Sequence, residues 1–172
     1  MKKTLSKLVS LVLIGAMALS LAACGAGKKQ VDPDDFEKKM EKVGFIVEED
    51  DDEDAEESYV AYYLGEEEDS EEFVLITYYL FETNKDAKGC FDASYEDLKK
   101  EKDKGKLDGT TSKGSWKFTG EGEFNEDSAL GEGEYYVVGI VAQKMVIIAY
   151  SAGDKASRKA LDKALSELGY GD

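Results

Sequence analysis

The chain has 172 residues, with 38 acidic and 22 basic side chains, a formal net charge of −16 and no histidine. Without histidine it cannot form a Ser/His/Asp triad, a Cys/His dyad or a His-ligated zinc site. Phosphate contacts need clustered basic side chains, and the chain has one arginine, Arg158, so we expect no nucleic-acid partner.

Residues 1–23 are predicted to be a secretory signal peptide. Lysines in the first seven residues form a basic start, a mostly apolar stretch runs from Leu8 to Leu21, and Ala22 and Ala23 are small. The apolar stretch is too short for a membrane-spanning helix, and its flanks are those of a cleaved leader. The mature chain is therefore expected to face outside the cytoplasm.

The end of this leader, Leu21-Ala22-Ala23-Cys24, resembles the lipobox of bacterial lipoproteins. The resemblance implies that Cys24 is lipidated, that cleavage falls just before it, and that the lipid holds the protein on the cell membrane. Two acyl chains, at ~0.8 kcal/mol per buried CH₂, anchor a protein stably where one would dissociate. The alternative is an ordinary signal peptide with a chance cysteine at its cleavage site. On the lipobox interpretation, the membrane is a partner of the protein through Cys24.

Residues 24–31 are expected to be the lipidated cysteine followed by a flexible tether, which as a coil would span only ~15 Å. Residues 32–172 have the length that forms one hydrophobic core, so a single domain is predicted. With Cys24 bound to lipid, Cys90 has no intramolecular disulfide partner. We expect Cys90 to be a small buried side chain rather than a reactive thiol.

The first half of the domain is predicted to contain a helix, three strands and a second helix. Asp32-Pro33 begins the first helix, and Gly44 ends it. The three strands lie at residues 45–47, 59–64 and 73–81. The third is apolar enough to be buried on both faces. Thr83, with Asp86 three residues later, begins the second helix, which is expected to fray into residues 99–106.

The second half is predicted to contain four strands and a last helix. Residues 114–126 alternate aromatic and polar side chains and are expected to form two strands that turn at Gly120 to Gly122. Two further apolar strands, at residues 135–142 and 145–150, are close enough to form a hairpin. Asp154 caps the last helix and Gly169 ends it.

This order of elements predicts the α+β class, with a single antiparallel sheet of about five to seven strands and helices packed on it. The order is similar to that of small, mostly uncharacterised lipobox proteins of Gram-positive bacteria, which have no settled activity. The shared elements are Gly44-Phe45, Thr77-Tyr78-Tyr79 and Leu168-Gly169-Tyr170. The order also resembles the PsbP/Mog1-like α/β sandwich, which is the alternative fold and implies binding or assembly rather than catalysis.

An acidic run, with nine acids in the ten positions from Glu48 to Glu57, raises the question of a divalent-cation site. Asp50, Asp52 and Asp54 match the first half of an EF-hand loop and are the only metal-ligand candidates. The sixth position is Ala55 and the twelfth is Ala61, where that loop needs glycine and glutamate. The favoured interpretation is therefore a solvated acidic loop with no bound metal.

Other charged and aromatic residues admit two interpretations each. Five lysines between Lys99 and Lys106 could meet anionic lipid or the acidic loops, but a helix end that favours cations explains them better. Three strands contain tyrosine pairs: Tyr62-Tyr63, Tyr78-Tyr79 and Tyr135-Tyr136. One tyrosine of each pair is expected in the core and the other on an exposed face, where it could contact a ligand or serve as half-buried filler.

The sequence therefore predicts a lipid-anchored extracytoplasmic module that binds an unknown ligand or envelope protein at the cell surface. One alternative is an acidic divalent-cation-binding or spacer domain. The other is a carboxylate-based hydrolase, for which any pair of the many acids would serve, so that no catalytic residue can be assigned. We expect neither enzymatic activity nor a cofactor.

Overall fold

The computed structural model of the protein describes residues 28–65, 72–128 and 131–171. Three helices lie at α1 (Pro33–Lys42), α2 (Asn84–Asp103) and α3 (Lys155–Leu168). Seven strands lie at β1 (Ile46–Asp50), β2 (Glu57–Tyr63), β3 (Val74–Leu80), β4 (Leu107–Lys113), β5 (Lys117–Phe124), β6 (Gly133–Ala142) and β7 (Met145–Ala152). No helix in these ranges is long and apolar enough to span a membrane.

All seven strands form one antiparallel sheet in the order β1-β2-β3-β7-β6-β5-β4. Strands β1 to β3 form one meander and strands β4 to β7 form another, in each of which a strand pairs with its neighbour in sequence. The two meanders join where β3 pairs with β7. The sheet has two ends, which we name after β7: the Met145 end, where β7 begins, and the Ala152 end, where it finishes. The predicted α+β class and single antiparallel sheet are confirmed.

Helices α1 and α3 cover one face of the sheet. Phe36 and Met40 of α1 and Leu161 and Leu165 of α3 are buried there, because apolar residues recur at helical spacing on one side of each helix. Tyr78 of β3 is fully buried beneath them. The sheet contributes the following further buried residues to this core: Ala61, Val74, Ile76, Val138, Ile140, Ala142, Met145, Ile147 and Ala149.

Helix α2 covers part of the opposite face. Its buried residues Ala87, Phe91 and Leu98 pack with strand residues that alternate with those of the first core. The Phe118 ring contacts Phe91, with ring centroids 5.2 Å apart. The strand side chains of this second core are Leu107, Phe118, Phe124, Val137, Val141, Val146 and Ile148. Layers on both faces explain why β6 and β7 are apolar almost throughout.

The helix boundaries agree with the caps predicted from sequence. Pro33 is the first residue of α1, and Gly44 follows it with a φ of +98° that favours glycine. The Thr83 hydroxyl accepts a hydrogen bond from the Asp86 N–H at the start of α2. At the start of α3, Asp154 Oδ1 accepts from the N–H groups of Ala156 and Ser157 at 2.8 and 2.9 Å.

The acidic run is shorter as a loop than the sequence suggested. Strand β1 continues through Glu48 and Glu49 to Asp50, and β2 begins at Glu57, so the connecting loop is residues 51–56. β1 lies at the edge of the sheet, where charged side chains reach solvent and discourage pairing with other chains. The acids of β1 therefore occupy strand positions.

The two-strand unit expected at residues 114–126 is wrong. Residues 117–124 form the single strand β5, and its partner β4 comes from residues 107–113, which the sequence did not identify as a strand. Gly120 faces α2, where a Cβ atom would lie 2.6 Å from Leu98 Cδ2, and Gly122 opposes Gly109 across the strand pair. These glycines permit close approach inside the sheet rather than a turn.

Residues 28–31, assigned by sequence to the tether, lie against the Met145 end of the sheet. The Tyr78 hydroxyl donates to the Val31 carbonyl oxygen at 2.8 Å, and the Tyr170 hydroxyl donates to that of Lys29. The Lys144 N–H donates to the Gln30 side chain at 3.2 Å. This part of the chain is therefore packed on the domain rather than extended from it.

Candidate functional site

Among the residues that the structure describes, no helix packs over one part of the sheet. On the α2 side, the strand register aligns Ile46, Tyr62 and Leu75 in one row and Glu48, Val60 and Thr77 in the next. Helix α2 packs chiefly on β4, β6 and β7, so these rows of β1, β2 and β3 lie beyond it. We call these six residues the uncovered face.

The uncovered face is unusually apolar for solvent-exposed sheet. Ile46 is 55% exposed and Leu64, which follows β2, is 56% exposed, whereas most large hydrophobic side chains of the described residues are buried. Val60, Tyr62 and Leu75 are half-buried. Contiguous exposed apolar surface on a small domain commonly marks an interaction site.

Acidic side chains border this surface. Tyr62 Oη donates to Glu48 Oε1 at 3.0 Å, and this hydrogen bond raises the pKa of the tyrosine above its ordinary value. Asp50 lies on the same face of β1 as Glu48, whereas Glu49 lies on the opposite face beside Tyr59. β1 is an edge strand of the sheet. An apolar centre with an acidic rim suits a partner that presents apolar side chains among basic ones.

A groove adjoins the uncovered face at the Ala152 end of the same sheet edge, and both Ile46 and Tyr62 line it. Its volume is about 500 Å³, within the range of small-molecule sites. Ile46, Tyr63 and Leu64 contribute apolar surface, and Lys159 and Lys163 of α3 contribute positive charge. Lys163 Nζ also donates to a backbone oxygen at the end of α1, at 3.5 Å.

The three aspartates considered as metal ligands do not act together. Asp50 is the last residue of β1, and its carbonyl oxygen accepts from the Ser58 hydroxyl at 2.6 Å. Asp52 Oδ1 accepts from the Asp54 N–H at 2.9 Å and so closes a local turn. Within the described ranges, no group of three or more acidic or cysteine side chains could hold a metal ion.

The two cysteines differ in what the structure shows. Cys24, the predicted lipidation site, lies outside the described residues. Cys90, expected to be buried, is only half-buried, because α2 presents it at the margin of the second core beside Phe81. Burial is still sufficient to raise the pKa of its thiol, so little reactive thiolate forms near neutral pH.

The tyrosine pairs do not divide into one buried and one exposed member. Tyr78 is fully buried and Tyr79 is half-buried on the opposite face. Tyr62, Tyr63 and Tyr136 are also half-buried. Apart from the fully buried Tyr78, the paired tyrosines therefore fit the interpretation as half-buried filler of the sheet.

The carboxyl groups with shifted acidity have structural roles. Burial of Asp154 opposes ionisation, but the hydrogen bonds at the start of α3 outweigh it and lower its pKa. Asp92 has a lowered pKa because the ammonium groups of Lys113 and Lys88 outweigh its partial burial. The hydrogen bond from Lys42 lowers the pKa of Glu167. A general acid in a glycosidase needs the opposite shift.

Comparison with known proteins gives one weak structural similarity, which carries no functional assignment. No protein-family model matches the chain, and no curated protein matches it. Among solved structures, the chain is similar to the crystal structure of the extracellular domain of PknH from Mycobacterium tuberculosis. The identity is 14% and the TM-score 0.37, over 77% of this chain and 69% of that one. The candidate function therefore depends on the surfaces of this chain.

Proposed function

We propose that the protein is a lipid-anchored extracytoplasmic module that binds a basic protein partner through its uncovered face. The observation on which this depends is the apolar row Ile46, Tyr62 and Leu75. None of the three described helices covers this row, although α2 covers its continuation on β7 and β6. Ile46 and Tyr62 also line the groove, but Val60, Leu75 and Thr77 lie outside it on an open strand face, so a protein surface fits the whole of the uncovered face better than an enclosed small molecule.

The apolar row supplies the centre of the interface. Burying the exposed part of Ile46 and the half-exposed Tyr62 ring would remove apolar area from water at about 25 cal/mol per Å². Tyrosine is favoured at such centres because it combines a large apolar ring with a polar tip. In this protein the hydroxyl group of Tyr62 is already oriented by its hydrogen bond to Glu48.

Charge decides the kind of partner. The chain has a net charge of −16, and Glu48 and Asp50 lie on the same face of β1 as Ile46. A second acidic surface would be repelled, whereas Lys and Arg around an apolar centre would pair with these carboxylates and speed association. Association should therefore slow as salt screens the rim.

The proposed location depends on the leader. Leu21-Ala22-Ala23-Cys24 follows a basic and then apolar segment, which supports export and lipidation at Cys24. Intact-mass measurement of the mature protein tests this directly. A chain that begins at Cys24 with a diacylglyceryl group is expected, and an unmodified Cys24 would refute the anchor.

Site-specific photo-crosslinking tests the binding surface. A benzophenone amino acid is placed at Ile46 or Tyr62 in intact bacterial cells that produce the protein, with exposed Thr110 on the opposite edge strand β4 as the matched control. We expect a discrete product from positions 46 and 62 that is missing at position 110. The cross-linked partner, once purified, should bind the Ile46→Ser variant at least tenfold more weakly, with the Thr110→Ser variant unchanged. Equal products at all three positions would refute the proposal.

A further inference from the structure

The N-terminal segment leaves the domain at a corner rich in lysine. From Val31 on β3, the segment crosses β7 and reaches Trp116, the single tryptophan, in the turn between β4 and β5. Lys28 Nζ lies 4.4 Å from the centroid of the Trp116 ring. The corner comprises Lys28, Lys29, Trp116, Lys117 and Lys144, which we call the tether corner.

The segment is held at several points in succession. Val31 is buried, and hydrogen bonds fix its carbonyl group, the Gln30 side chain and the carbonyl group of Lys29. Lys28 then packs on Trp116 as a cation over an aromatic ring. Because each contact is made to a different element, the exit point of the chain is fixed relative to the domain.

The chain between Cys24 and this corner is short. Four peptide units join Cys24 to Lys28, so their Cα atoms can be at most about 14 Å apart at ~3.6 Å per unit. If Cys24 carries lipid, as the proposed function requires, the tether corner must lie within that distance of the membrane surface. Other parts of the domain can be much farther away.

We propose that the tether corner rests on anionic phospholipid headgroups and so orients the domain on its membrane. Lys29 and Lys144 are exposed, and Lys28, Trp116 and Lys117 are half-buried beside them. A lysine near an anionic surface attracts it, and tryptophan favours the headgroup region because its ring is amphipathic. This inference rests on the lipid anchor of the proposed function but not on the protein partner.

The acidic loop 51–56 lies away from the β5 side of this corner. At the Met145 end, acids occupy that loop and the positions Glu82 and Asp86 beyond β3. β3 is three strand spacings from β5, about 14 Å, and β2 is four, about 19 Å. These separations exceed the Debye length of ~8 Å at physiological salt, so these acids weaken the attraction of Lys117 for lipid little. Lys144 is nearer to Glu82, because its carbonyl oxygen accepts from the Phe81 N–H at 2.9 Å, and Asp32 follows Val31 directly, so these two acids offset part of the attraction.

Headgroup quenching of Trp116 tests the orientation in the lipidated full protein. The protein is reconstituted into vesicles of phosphatidylcholine, with or without phosphatidylglycerol, that contain a nitroxide-headgroup lipid. We expect strong quenching of Trp116, stronger with phosphatidylglycerol and weaker at high salt. The matched control moves the tryptophan to the uncovered face, in the variant Trp116→Phe with Tyr62→Trp, where quenching should be slight.

Charge reversal separates attraction from tethering. Lys29→Glu with Lys144→Glu should lower the equilibrium between surface-bound and free orientations by at least about thirtyfold in anionic vesicles, since the loss of each lysine costs ~1 kcal/mol and each new carboxylate adds repulsion. Lys159→Glu with Lys163→Glu, at the Ala152 end, should leave quenching unchanged. Unlipidated Cys24 would overturn the anchor and the orientation together. Lipidated protein with an unquenched Trp116, or with equal quenching at both tryptophan positions, would overturn the orientation alone.

Discussion

The hydroxyl group of Tyr78 should hold the N-terminal segment on the domain. The Tyr78 ring is fully buried against Phe36, with centroids 4.8 Å apart, and its hydroxyl donates to the buried Val31 at 2.8 Å. Replacing Tyr78 with Phe keeps the ring and removes only the donor. The Val31 carbonyl oxygen then either stays buried without a partner or leaves with its segment.

The size of the change in stability depends on which of these two states the Val31 carbonyl group adopts. A buried carbonyl group without a donor costs about 1–3 kcal/mol. Detachment of the segment can limit the loss, because the released residues regain about 1–2 kcal/mol each of backbone entropy. Opening of the segment in Tyr78→Phe should therefore become about 5- to 150-fold more frequent, since 1.4 kcal/mol is a factor of ten. The unfolding free energy should fall by no more than the same 1–3 kcal/mol.

Trypsin provides the assay, because Lys28 and Lys29 lie within the segment and are cut only when it opens. The cleavage rate is followed by mass spectrometry, and global stability by urea unfolding with Trp116 fluorescence. The matched control is Tyr62→Phe, which removes a hydroxyl hydrogen-bonded to Glu48 on an exposed surface. It should leave both measurements near those of the wild type.

If Tyr78→Phe matched Tyr62→Phe in cleavage rate and urea midpoint, the argument would fail. A fall in global stability with unchanged cleavage would also refute it, because the segment would then open only with the whole domain. Tyr170→Phe offers a second check, since its hydroxyl binds the same segment at Lys29. The two changes together should cost less than their sum, because a detached segment has no second bond to lose.

Four further measurements follow from particular contacts. Gly139→Ala should destabilise the domain by about 1–3 kcal/mol in urea unfolding, because a Cβ atom would lie 2.0 Å from Phe118 Cε1. Asp154→Ala should cost about 1 kcal/mol at neutral pH, and the difference should vanish as pH falls through the lowered pKa of the aspartate. Burial raises the pKa of Tyr79 to about 12, so its contribution to stability should be complete below about pH 10 and be lost as pH rises towards 12, measured by melting temperature. Cys90 should react with a thiol reagent more slowly than a free thiol at pH 8, and denaturant should remove the difference.

The elements predicted from sequence were those with strong local signals. Pro33, Thr83, Asp154 and Gly169 mark helix ends, and each does so in the structure through its own backbone or side-chain geometry. Strand β4 gave no such signal, because its sequence is polar and glycine-containing. It is a strand because Gly109 can approach Gly122 closely, which is a property of the pair rather than of either segment.

The candidate surface could not be predicted for a related reason. The sequence indicates that β3 is apolar on both faces, and Tyr78 is indeed buried. Whether Leu75 on the other face is covered depends on where α2 lies across the sheet, which no local pattern encodes. Among the described residues, α2 is the only helix on the face opposite α1 and α3, and seven strands are too wide for one helix. The small number of helices relative to strands was therefore the one feature of the sequence that could have indicated an uncovered strand face.

If the protein is exported as proposed, the junction of the two meanders has a consequence for that step. Only the β3–β7 pair joins them, and β7 and α3 come from the last third of the chain. A chain that emerges N-terminus first therefore presents β1 to β3 and α1 before the residues that bury Tyr78 have crossed the membrane. Non-local pairing of this kind is slow to form, so the half-emerged protein is the state most exposed to aggregation and to proteases. The amount of folded protein therefore depends on translocation of β7 and α3 as much as on the stability of the folded domain.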